Sequence, residues 1–62
     1  MHAALQATIR QFKDARASNI AVIRFIEDGH RTVLGSADTT IARLADAKAK
    51  LAVCDGWLAL NA

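Results

Sequence analysis

From Leu5 to Ile26 the apolar residues keep a single helical phase, and no proline interrupts them. At about 100° per residue, Leu5, Ile9, Phe12, Ile23 and Ile26 share one face, with Ile20 at its margin. Gln6, Arg10, Asp14, Ala17, Ala21, Arg24 and Asp28 share the opposite face. The phase does not slip at Ala17-Ser18-Asn19, where a turning chain would break it. The pattern therefore predicts one helix over residues 3–28. Gly29 stands where a left-handed C-terminal cap belongs. Frequent alanine, the best helix former, favours the same reading.

A second helix is expected over residues 39–60. Asp38 is placed to act as its N-cap, accepting from the first free backbone N–H groups. Ile41, Leu44, Leu51 and Leu58 recur at spacings of three and seven, a heptad-like seam that Lys48 and Asp55 share. Gly56 weakens the last turn and is expected to end or bend the helix. HRTVLGSA, residues 30–37, is a helix–helix connection of ordinary length. The expected fold is all-α, a two-helix antiparallel hairpin forming a single domain over residues 1–62. Its register would set Ile26 against Ile41, Ile23 against Leu44, Asn19 near Lys48, and Arg16 near Leu51 and Asp55. Polar residues on the two seams then cluster, as groups that set register do.

The stretch ASNIAVIRFIEDGHR, residues 17–31, also supports a competing fold. Ile20, Val22, Ile23, Phe25 and Ile26 are strand-favouring types, and Asp28-Gly29 is a hairpin signal. A turn there would pair Phe25 with Val33 and Glu27 with Arg31, giving α-β-β-α. The unbroken helical phase through Ile26 favours the helical hairpin.

At 62 residues, the chain is too short to build a large core. Cys54 is the only cysteine, so no intrachain disulfide can add stability. Oligomerisation is the remaining route. Phe25 forms a second stripe with Ala17 and Ala21, and Trp57 forms another with Val53 and Leu60. The two stripes sit at opposite ends of the hairpin. A two-fold antiparallel homodimer would bring Trp57 of one copy towards Phe25 of the other, in a four-helix bundle. Ala17, Ala21, Phe25, Val53, Trp57 and Leu60 are thus the expected protein interface.

Little in the sequence points to catalysis. Cys54 has no histidine near it in sequence to act as a base, and it reads as a small packing residue. His2 lies at a terminus, and His30 follows a helix end, where a cation suits the helix dipole. No zinc spacing, phosphate loop or catalytic triad occurs. The expectation is a non-enzymatic protein with no cofactor or metal, acting as a regulator or inhibitor on a protein partner. No apolar run reaches the ~18 residues of a membrane span, and the first residues lack a secretory pattern. A reduced, cytoplasmic setting is the default expectation.

The formal charge is +2, with Arg10, Lys13, Arg16 and Arg24 preceding most of the acids. The segment IRFIEDGHRT, residues 23–32, resembles the end of the recognition helix in Cro-like helix-turn-helix repressors. TIARLADA, residues 40–47, resembles the next helix of that family. The resemblance implies a minimal nucleic-acid-binding regulator using residues 18–27, with Ser18, Asn19, Ala21, Val22 and Arg24 at the major groove. Arg10 and Lys13 would add backbone contacts. This second reading needs a break in the helix near Arg16-Ala17.

Overall fold

In the computed structural model, residues 2–62 are described. They form helix α1 (His2–Glu27), strands β1 (Val33–Leu34) and β2 (Ala37–Asp38), and helix α2 (Thr40–Asn61). The helices pack side by side as an antiparallel hairpin measuring 47 × 20 × 15 Å. Both run within one residue of the expected bounds. α1 is continuous through Arg16–Asn19, so the break that the helix-turn-helix reading needs is not there.

α1 stops at Gly29 for a backbone reason. The Gly29 N–H donates to the Ile26 carbonyl at 3.0 Å, and the His30 N–H donates to the Phe25 carbonyl at 3.2 Å. With φ +99° at Gly29, this is the Schellman arrangement, which satisfies carbonyls that the helix end leaves free. His30 then lies over the Phe25 ring with centroids 4.4 Å apart. That contact joins the two positions a Schellman cap usually brings together.

The hairpin expected at Asp28-Gly29 does not form, because those residues are consumed by the helix cap. A β-hairpin does form seven residues later. Val33 pairs with Asp38 and Leu34 with Ala37, leaving Gly35-Ser36 as a two-residue loop. Gly35 has φ +61°, and no non-glycine residue among those described has positive φ. That is the type II′ pattern, whose twist matches that of the paired strands.

The inward residues of α1 are Thr8, Phe12, Ala15, Asn19, Val22 and Ile26; those of α2 are Thr40, Leu44, Ala47, Leu51, Cys54 and Leu58. Both sets step by alternating fours and threes, the a and d positions of a heptad. Ile41 is not among them. It is 83% exposed, and the expected Ile41–Ile26 contact is replaced by Thr40 turning inward one residue earlier. Lys48 and Asp55 likewise stand beside the seam and not on it. Ala47 and Cys54, 2% and 5% exposed, are the only fully buried apolar residues among those described. The α2 residues that bury fully at this contact, Thr40, Ala47 and Cys54, are all small.

α2 continues past Gly56 to Asn61 without ending there. Its first turn is capped from one residue before the helix boundary. Thr39 makes no side-chain cap, whereas the Asp38 carboxylate accepts from the Thr40 N–H at 2.9 Å.

Candidate functional site: the faces of the hairpin

The helix pair has two edges. In an antiparallel pair, residues that follow the d positions face one another along one edge, and residues that precede the a positions line the other. The first edge carries Ile9, Arg16 and Ile23 from α1, with Ile41, Lys48 and Asp55 from α2. Arg16 and Asp55 meet there, Nε to Oδ1 at 2.5 Å, as the register expected. Both are about half exposed, so the pair contributes little stability and fixes register more than it holds the helices together. Ile9 and Ile23 are half-buried, as is Ile20 beside them. We refer to this as the isoleucine edge.

The second edge carries Gln11, Ser18, Phe25, Arg43, Lys50 and Trp57. Its two aromatic rings are already in contact within the chain. Trp57 stacks on Phe12 with centroids 4.1 Å apart and planes 6° from parallel. Trp57 thus starts off the seam, as the sequence pattern implied, and its ring folds back to close the open end of the hairpin over Phe12. Phe25 lies against His30. Between them runs a polar groove lined by Asn19, Val22, Arg43, Asp46, Ala47 and Lys50. Asn19 thus shares its surroundings with Lys50, where the expected neighbour was Lys48. Its amide donates to the Ala15 carbonyl of its own helix at 2.8 Å. Lys50 pairs with Asp46 at 2.9 Å.

Of the residues expected at a protein interface, Ala17, Ala21, Phe25, Val53 and Leu60 are exposed, and Trp57 is half-buried. Of those expected to meet nucleic acid, Arg10, Lys13, Ser18 and Arg24 are exposed, and Asn19 is half-buried. Arg10, Lys13 and Arg24 take part in none of the ion pairs among the described residues. Cys54 is a buried free thiol on the seam, consistent with a packing role. No group of three or more His, Cys, Asp or Glu side chains comes together among the described residues. No helix there is long and apolar enough to cross a membrane.

The connection holds a hydrogen-bonded cluster that sequence reasoning missed. Asp38 accepts from the Thr40 hydroxyl at 2.6 Å through Oδ1, and from Arg31 Nε at 2.8 Å through Oδ2, with Arg31 Nη2 on the same oxygen. The Thr32 N–H donates to the Thr40 hydroxyl at 3.0 Å, and the Thr32 and Thr39 hydroxyls lie 2.9 Å apart. Bonds from the Thr40 hydroxyl, the Thr40 N–H and Arg31, in that order, lower the Asp38 pKa from 3.8 to about 2. The cluster ties the β-hairpin to the start of α2, with Val33 and Leu34 exposed at its tip. The available signal was Gly35-Ser36, a Gly-first two-residue loop of the type II′ kind, following the apolar pair Val33-Leu34.

No protein-family model matches this chain, and comparisons with curated proteins and with solved structures give no match.

The exposed area is the most informative quantity. The chain exposes 4695 Å². A folded monomer of its 6.6 kDa mass exposes about 3,900 Å² on average. The excess is about 800 Å², which is what one partner contributes to a standard protein–protein interface.

Proposed function

We propose that the chain is a small non-enzymatic protein-interaction module, a regulator or inhibitor that occupies a partner's surface as a helical homodimer. The excess exposed area carries this reading. A single helix pair buries one stripe per helix, and more than half of this sequence is apolar. Pairing two hairpins into a four-helix bundle is the general solution for such helices. Ala17, Ala21, Phe25, Val53 and Leu60 remain as the surface offered to a protein partner. Sedimentation equilibrium over a range of concentrations tests the association, with a mass twice that of the chain expected. A monomer at all concentrations would remove the homodimer from this reading.

One observation favours a second reading. Arg10, Lys13 and Arg24 are exposed and free of ion pairs among the described residues. A bundle presenting them on its outer surface would bind an RNA backbone through charge, without a helix-turn-helix. Binding to single-stranded or duplex RNA that weakens steeply with salt would support it. Affinity unchanged by an Arg10→Ala, Lys13→Ala, Arg24→Ala triple variant would argue against it.

A further inference from the structure

We infer that the groove between α1 and α2 on the Phe25–Trp57 edge, opposite the isoleucine edge, takes an amphipathic helix from a partner protein, with an acidic residue one turn from an apolar anchor. The inference rests on the protein-interaction reading above and names the surface and the chemistry of its partner.

Three depressions follow one another along this edge. Near the loop, Ala21, Val22, Phe25 and Thr32 form an apolar depression bordered by Arg43. Next comes the polar groove, which shares Val22 and Arg43 with it and adds Asn19, Asp46 and Lys50. Towards the termini, Gln11, Phe12, Ala15 and Cys54 line a second apolar depression. Val22 and Phe12, one in each apolar depression, are ten residues apart on α1, about 15 Å along its axis. That is close to three helical turns, so a helix lying in the groove would seat apolar residues at i and i+11.

The walls decide the form of the occupant. Both are helices, whose backbone N–H and C=O groups are already paired, so an extended segment would gain no ladder there. A helix satisfies its own backbone, and a helix lying between two others is ordinary bundle packing. The floor suits close approach, because Ala15, Ala47 and Cys54 are small.

The charges decide its chemistry. Among the described residues that line the three depressions, Asp46 is the only acid, and Lys50 holds it at 2.9 Å. Arg43 is exposed and takes part in none of the ion pairs among the described residues. It borders the polar groove and the Phe25 depression together. A carboxylate that meets it therefore lies one turn from an apolar side chain seated against Phe25, whose ring is 46% exposed. A phosphate backbone running along the groove would instead meet the Asp46 carboxylate and leave the outer depressions empty.

The probe is a labelled synthetic helix on an Ala-Gln background, with leucines at i and i+11 and a glutamate at i+4. Fluorescence anisotropy reads its binding to the full chain. Arg43→Glu is the test variant. The side chain it replaces is exposed and unpaired, and an acid near the start of α2 suits the helix dipole, so the hairpin is not threatened; circular dichroism confirms this. The parent is expected to bind the glutamate peptide about tenfold or more tighter than a peptide with lysine at i+4, and Arg43→Glu to reverse that preference. Equal binding of the two peptides, binding of neither, or a preference that Arg43→Glu leaves unchanged overturns the assignment. Sedimentation equilibrium on the same proteins identifies the other occupants. A dimeric parent that becomes monomeric in Arg43→Glu gives the groove to a second copy, and an RNA oligonucleotide that displaces the glutamate peptide gives it to nucleic acid; either result overturns the partner helix. A failed peptide test with the parent still dimeric leaves the homodimer reading standing.

Discussion

At Asp38, one carboxylate ties the end of β2 to the first turn of α2 and to Arg31. Its pKa is lowered from 3.8 to about 2 in the folded chain, so the carboxylate favours the fold when ionised. The contribution is fully present above about pH 4 and is lost as pH falls towards 2. The Thr40 amide proton, followed by NMR through acid titration, is expected to move in that window. Asp38→Asn should remove the movement and loosen the β-hairpin at neutral pH. Gly29 acts through the backbone instead. Nothing lies within reach of an added Cβ, but φ is +99°. Gly29→Ala should therefore cost about 1 kcal/mol through strain alone, read as a lower denaturation midpoint with helicity largely kept.

The two helices were legible as elements because their phase is long and unbroken. Their rotation was less so. Counting large apolar residues placed Leu44, Leu51 and Leu58 on the α2 seam correctly but added Ile41, Lys48 and Asp55, where Thr40, Ala47 and Cys54, each one residue earlier, are the ones that turn inward. Large residues mark burial only where space is available, and a close helix contact selects small ones. Trp57 holds an edge position, as its spacing implied, and its ring reaches across the pair to Phe12. Trp57→Ala is expected to destabilise the hairpin by about 2–3 kcal/mol, seen in thermal denaturation whether or not the chain is dimeric. Arg16→Ala removes only an exposed ion pair with Asp55. It should cost a few tenths of a kcal/mol, with the difference shrinking further in high salt.

As a whole molecule, the hairpin is long, thin and short of core. Two fully buried apolar residues among those described, in a sequence that is 53% hydrophobic, leave most apolar surface without cover. If association supplies the missing burial, the melting temperature must rise with protein concentration, as it does for any fold coupled to dimer formation. Scanning calorimetry over a hundredfold concentration range should show that rise. A concentration-independent midpoint would show that the hairpin is stable alone.

Local order was decided by the sequence itself: the helical phase of residues 3–28, the glycine that ends it, the second heptad pattern and the carboxylate that caps it. These depend on neighbours within a few residues, so their signal is written nearby. The tertiary structure alone decided which stripe of each helix turned inward, that Asp28-Gly29 would be spent on a cap while Gly35-Ser36 made the hairpin, and which edge kept its rings satisfied. Those outcomes depend on how closely two helices approach and on which side chains fill the gap, and residues nearly forty positions apart, such as Arg16 and Asp55, meet only once that distance is set.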